Sequence, residues 1–420
     1  MKKTLDPLEP KADKATVRRH NLSLVLRAVH DEGEATRAAV AARVGLTRAA
    51  VSSLVEQLLG SGFLTESGKT FSGQAGRPGT ALRVARTGPA GLGVEINVDY
   101  VSVCVVDLAG TDRVRLTEHL DNRDVPPGEV LARAARIAAR TLESAGEQEL
   151  RPAGVRLALP GLVSGGTVRQ APNLGWNQVA AEDLFGQALG ALRPGLGDLP
   201  VGSENEANAA ALAELWFGDG DGDGTAAGRT RARSFLYLSG EIGVGGAVVV
   251  EGELLRGAHG FAGEIGHVVA EAEGPECRCG SRGCLEQYAG QAALLRGAGI
   301  DEDAGGPGVA ELERRAAAGD ALAVAALERA GRMLGLVVSG AVNLLDPEAV
   351  VLGGVFRPLM PWLGPAADGE LSRRVVSGLW PAGGGRLRAS SSSGDAARGA
   401  AALVVRDVVT DPVGYVARVG

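Results

Sequence analysis

Apolar residues at Leu22, Val25, Leu26 and Val29 recur three and four positions apart, the stripe of an amphipathic helix over 21–33. "ATRAAVAARVG" follows, with Thr36 as a candidate N-cap and Gly45 as a candidate stop. "LTRAAVSSLVEQLLGSG" then restarts on Thr47 and sets Val51, Leu54, Val55 and Leu58 on one face. A helix, a tight Gly-containing turn and a second helix form the helix-turn-helix pattern. "GFLTESGKTF" (62–71) adds two short extended stretches around a Ser-Gly turn, which predicts a β-wing.

Beyond residue 88 the period alternates between that of strands and that of helices. Residues 91–120 predict three strands with turns at 97–100 and 108–112. A helix over about 127–146, a strand at 154–160, a helix at 181–191, the strand "LPVGS" and the helix "EANAAALAELWF" follow. The strand "SFLYLSG", a long helix over 320–344, the strand "EAVVLGG" and a last helix from Asp395 complete the pattern. This predicts an α/β body of two lobes with a cleft, residues 89–420, behind a head of residues 1–88. The Gly/Asp-rich stretch 217–234 reads as a surface loop; it lacks the closing glutamate of a calcium loop.

Charge separates the same two parts. Residues 1–88 carry 14 Lys and Arg against 8 Asp and Glu, whereas the rest carries 29 against 42. A basic head on an acidic body points to a polyanion partner for the head alone. A recognition helix seated in a major groove would present Thr47, Arg48, Ala50 and Ser52 to the bases. "SGQAGRPGT" (72–80), with its Gly-Arg-Pro, reads either as a plain linker or as an arm that lays Arg77 into a minor groove.

No run of 18 apolar residues lacks a charge, which argues against a membrane span, and no apolar core follows the basic start as in an export signal. Three of the four cysteines cluster, so the reading is metal binding in a reducing cytoplasm, not a disulfide framework. His267, Cys277, Cys279 and Cys284 give H-x9-C-x-C-x4-C. Four N/S ligands close a tetrahedron around Zn²⁺ and leave no position for an activated water, so the site is expected to be structural. Cys104, on an early strand, is expected in the core.

"PGLVSGGTVRQAPNLGW", "ENEANAAALAE", "HGFAGEIGH" and "CRCGSRGCLEQYA" stand in the order and spacing of the ROK family of sugar kinases and sugar-responsive repressors. With its added head and Gly-Arg-Pro, the chain resembles the repressor branch. The resemblance implies an actin-like fold of two RNase H-like lobes with a sugar pocket between them. It carries sugar contact to Asn173, Asn205, Glu206, Glu264, His267 and Glu286. His267 would then serve zinc with one ring nitrogen and a sugar hydroxyl with the other.

The chain departs from the kinase pattern at the phosphate loops. Glu206 stands where the kinases place their Asp base in "NDAN", and "EINVD" replaces Asp-x-Gly-Gly-Thr. Side chains at Asn97 and Val98 obstruct the close backbone approach a phosphate needs, and Glu241 enters the second glycine loop. These changes predict loss of ATP binding and of catalysis, with Glu206 a vestigial base position. The expectation is therefore a cytoplasmic, non-enzymatic repressor that binds an inverted-repeat operator as a homodimer or higher oligomer. The alternative is an ATP-dependent sugar kinase with an added DNA-binding head. "NEAN" resembles the xylose-operon repressors more than the glucokinases, which makes xylose the first effector to consider.

Overall fold

The computed structural model describes residues 13–70, 79–218, 232–391 and 395–419. The head opens with α1 (Lys14–Glu32), capped by Asp13, so this helix begins seven residues before the stretch its apolar stripe marked out. A two-residue strand β1 (Ala35–Thr36) leads into α2 (Arg37–Val44), and residues 45–47 join it to α3 (Arg48–Gly60) at a bend of 115°. The Oγ1 atoms of Thr36 and Thr47 accept from the amides of Ala39 and Ala50, and Gly45 stops α2 at φ 70°. Val51, Leu54, Val55 and Leu58 are all buried.

The hairpin after α3 differs from its sequence reading. "LTESGKT" is one strand, β2 (Leu64–Thr70), pairing antiparallel with β3 (Gly79–Val84). Ser67-Gly68 is a bulge, not a turn: the register shifts between Glu66 and Lys69, with Gly68 at φ 60°. Arg77 and the Gly-Arg-Pro lie outside the described residues. Because Thr70 pairs with Gly79, that segment joins β2 to β3 within the head, and the chain enters the body at residues 85–87.

Two five-stranded sheets of matching topology follow. The first comprises β4 (Gly88–Ile96), β5 (Tyr100–Asp107), β6 (Asp112–His119), β7 (Leu150–Leu159) and β11 (Val201–Asn205), in the order β11-β7-β4-β5-β6. Between them come α4 (Pro127–Glu147), a small sheet of β8 (Leu162–Ser164), β9 (Thr167–Ala171) and β10 (Trp176–Val179), and α5 (Ala181–Leu192). Then α6 (Glu206–Phe217) leads to the second sheet. It comprises β12 (Phe235–Gly240), β13 (Val244–Val250), β14 (Glu253–Leu254), β15 (Ala349–Gly354) and β16 (Leu387–Ala389), ordered β14-β13-β12-β15-β16. In each sheet the second strand runs antiparallel to the first and the two crossover strands run parallel to it.

The second lobe also holds α7 (Glu286–Ala289), α8 (Gln291–Gly297), α9 (Gly305–Ala317), α10 (Ala321–Leu345) and α11 (Phe356–Arg374). The chain then returns to the first lobe. The last helix expected from Asp395 is two helices, α12 (Ala396–Thr410) and α13 (Pro412–Val419), separated by Asp411 ahead of a proline. A Cβ on Gly93 would stand 1.9 Å from the Ala397 carbonyl oxygen, so glycines in β4 let α12 lie directly on the sheet. α12 and α13 also share one apolar core with α1 and α3: Leu26, Val29 and Leu58 cluster with Val405 and Val408 of α12 and Tyr415 of α13. Among the described residues no single helix is long and apolar enough to cross a membrane.

Candidate functional site

The cleft between the lobes is assembled at strand ends, where a chain can present side chains and free amides together. The Asn205 side-chain oxygen caps α6 by accepting from the Asn208 amide at 3.1 Å, and its Nδ2 donates to the Gly161 carbonyl at 2.9 Å. Glu206, the first residue of α6, points its carboxyl toward the glycine loop 243–246. Asn173 sits in a short 3-10 turn after β9, and Arg278 Nη1 donates to its Oδ1 at 3.3 Å. From the second lobe come Glu264, His267 and Glu286, whose Oε2 accepts from the Val244 amide at 3.3 Å.

All six residues expected at a sugar line this one cleft, whose cavity volume is about 70 Å³. Among the other residues that line it, three bear on what it can hold. Arg278 lies between two cysteines, where only their pattern draws notice, and Gly161 offers its carbonyl. Gly243 is held by a steric need: a Cβ there would meet Glu286 Oε2 at 1.9 Å.

Behind the cleft, the ligand atoms of His267, Cys277, Cys279 and Cys284 all lie within 4.8 Å of one another. His267 Nδ1 is 3.8 Å from Cys277 Sγ, and the sulfurs of Cys279 and Cys284 are 3.7 Å apart. Zn–S bonds of about 2.3 Å give a tetrahedron with edges of roughly 3.8 Å, so the spacing fits a metal of that size. Burial first, and then the neighbouring thiols, push Cys284 up to about 12, so these sulfurs gather as thiolates only if a cation neutralises them. The imidazole presents its other nitrogen to the cleft, with Nε2 3.9 Å from Glu264 Oε2. Cys104 is fully buried in the core shared with the head, far from this group in the fold.

The adjoining cavity is where the sequence reading placed the altered phosphate loops. Glu95, Glu206, Glu241 and Asp395 line it, with Arg357 as a cation. Asn97 Nδ2 donates to Glu241 Oε2 at 3.3 Å and to Tyr100 Oη at 3.2 Å; Tyr100 Oη donates to Glu95 Oε1 at 2.5 Å. Burial and the Asp395 charge push Glu95 up to about 7. Burial and the Glu95 and Glu206 charges push Glu241 well above the carboxylate range. The glycines of "LGGVF" are accounted for by packing: a Cβ on Gly353 would stand 2.0 Å from Tyr237 Oη, and one on Gly354 2.1 Å from the Gly240 carbonyl oxygen.

In the head, Thr47 and Arg48 are exposed at the start of α3, Ser52 is half-buried, and the half-buried Ala50 has its amide tied to Thr47. Ala49 and Ser53, passed over in the sequence reading, are the more exposed neighbours on that surface. Head and body are joined by Arg19 and Asp411, with Arg19 Nε 2.7 Å from Asp411 Oδ1 and a second guanidinium nitrogen on Oδ2. The Ser23 hydroxyl adds a bond to the Val409 carbonyl at 3.3 Å.

Comparison with known proteins gives this geometry its relatives. A putative xylose repressor of Caldicellulosiruptor sp. is 30% identical over 359 residues, covering 81% of this chain and 84% of that protein. The solved structure of a ROK family transcriptional regulator, a homologue of the E. coli MLC protein, superimposes with TM-score 0.74 at 23% identity. It covers 96% of this chain and 98% of that one. A ROK family glucokinase from Streptomyces griseus, solved with glucose and AMPPNP, gives TM-score 0.60 at 26% identity; it covers 75% of this chain and 98% of the kinase. The two matched sheets are those of the actin-like, sugar-kinase-type fold. The ROK family model itself matches residues 91–407, so this chain belongs to the ROK family.

Proposed function

We propose that the protein is a sugar-responsive DNA-binding repressor, with a free sugar, xylose first, as its effector. The observation that carries this reading is the contrast between two neighbouring spaces. The cleft gathers six polar side chains suited to vicinal hydroxyls. The space beside it, where a kinase needs to seat phosphates, holds the Glu95, Glu206 and Glu241 carboxylates and a hydrogen-bonded Asn97. Buried acids, protonated or ionised, cannot neutralise a triphosphate as cations and free backbone amides do, and the chain therefore binds sugar without turning it over.

In this reading α2, α3 and the β2–β3 hairpin are a winged helix-turn-helix, and Thr47, Arg48, Ala50 and Ser52 at the start of α3 face the bases. The partner is an inverted repeat met by a homodimer, with half-sites about one helical turn apart. His267, Cys277, Cys279 and Cys284 would hold a structural Zn²⁺, which would supply fixed geometry and no chemistry of its own. His267 would then turn Nε2 toward a sugar hydroxyl, and Glu286 accepts from the Val244 amide beside it.

The path to DNA runs through α12. Glu206 begins α6; a Cβ on Gly399 of α12 would stand 1.8 Å from the Ala209 carbonyl oxygen of α6, so the two helices touch backbone to backbone. Because α12 also carries the head's core, a sugar that draws the lobes together changes the setting of the paired heads and releases the operator. Steady-state assays with ATP and a sugar panel test the alternative kinase reading. The expected turnover lies below about 0.01 s⁻¹, against about 1–100 s⁻¹ for kinases; ordinary kinase rates would overturn the repressor reading.

A further inference from the structure

The cleft continues past Gly161 into a second, wider groove. Arg169, Gln170, Asn177 and Gln178 of β9 and β10 form one wall, and His259 and Phe261 of the loop after β14 form the other. Cleft and groove are contiguous on both sides. A Cβ on Gly161, which lines the cleft, would stand 2.2 Å from the Gln170 carbonyl oxygen, so backbone contact sets Gln170 at the cleft's edge. On the other side, Phe261 precedes the cleft residue Glu264 by three positions, in a loop closed by the Ala262 amide on the Arg256 carbonyl at 3.1 Å. An Arg256–Glu204 ion pair of 2.6 Å anchors that loop to the first lobe beside Asn205.

The groove's own construction points to a ligand. Phe261 leaves 36% of its surface exposed. Gln178 holds a left-handed φ of 51°, a conformation uncommon for an L-residue, and its Oε1 accepts from Arg169 Nη1 at 3.3 Å. An exposed aromatic face beside side-chain amides and a guanidinium is the chemistry that takes a sugar ring. The ring's C–H face lies on the aromatic, and the amides offer a donor and an acceptor side by side to adjacent hydroxyls. Among the described residues no carboxylate lines the groove, in contrast to the cleft.

We infer that this groove is a second sugar subsite, so that the effector is a disaccharide or longer oligosaccharide with one ring in the cleft and the next along Phe261. The inference rests on the cleft binding a sugar. Isothermal titration of the full chain with xylose, xylobiose, glucose, cellobiose and maltose separates the two claims. At least one disaccharide is expected to bind about tenfold more tightly than its own monosaccharide. Phe261→Ala and Gln178→Gly should each erase most of that gain and leave the monosaccharide affinity within about twofold. Disaccharides that bind no better than their monosaccharides, or a gain that survives Phe261→Ala, would overturn the second subsite and leave the cleft reading standing. Binding of no sugar at all would overturn both.

Discussion

Glu206 opens α6 inside a ring of carboxylates, and burial first, then Glu95, Glu264 and Glu286, hold its carboxyl up at about 8. Between its ordinary value of 4.5 and about 8, the folded protein keeps a proton that the unfolded chain has released. Folded binding exceeds unfolded binding there, so stability falls as pH rises through this window and is fully present only below 4.5. The separation of the two values sets a ceiling of about 5 kcal/mol. The cleft is open to water and counterions, which reduces the effect to about 1–2 kcal/mol. Gln has the shape of the protonated acid and carries no charge. Glu206→Gln should therefore melt within about 1 °C of the wild type at pH 5 and roughly 2–4 °C above it at pH 8.5. Differential scanning calorimetry without sugar makes the comparison. An equal offset at both pH values, or a larger gain at pH 5, would refute the reasoning.

Cys279→Ser should reduce bound zinc from about one ion per chain to near none and lower the melting temperature by roughly 5 °C or more, read by metal analysis and calorimetry. Gly243→Ala should keep its zinc yet weaken sugar binding at least about tenfold by titration, because the new methyl takes the place of Glu286 Oε2. Asp411→Ala removes a half-exposed pair worth about 0.3–1 kcal/mol, so it should leave sugar affinity unchanged while halving or more the sugar's effect on DNA affinity, measured by fluorescence anisotropy.

What the sequence disclosed was whatever depends on neighbours in the chain. Thr36, Gly45 and Thr47 mark α2 and α3 because a cap bonds three residues on, and the group His267, Cys277, Cys279 and Cys284 stands out because its members lie within 18 positions of each other. The six cleft residues came from family resemblance and not from spacing. The unread features are tertiary. The bonds that tie Glu95, Asn97 and Tyr100 to Glu241 span 144 positions at their longest, and nothing near Asn97 announces Glu241. Arg19 and Asp411 are 392 positions apart, so the seating of the head on α12 and α13 was invisible. In the β2–β3 hairpin, Ser67-Gly68 has turn composition but serves as a bulge, since the strand partner lies beyond residue 78.

The central claim is that one chain couples a sugar in the cleft to DNA at α3. Selecting an operator from a random duplex pool with the full chain, then titrating it by anisotropy with and without each sugar that binds, tests this directly. The account predicts an inverted-repeat site whose affinity falls at least about fivefold when the effector saturates the cleft. A sugar that binds the cleft tightly and leaves the operator affinity unchanged would contradict it.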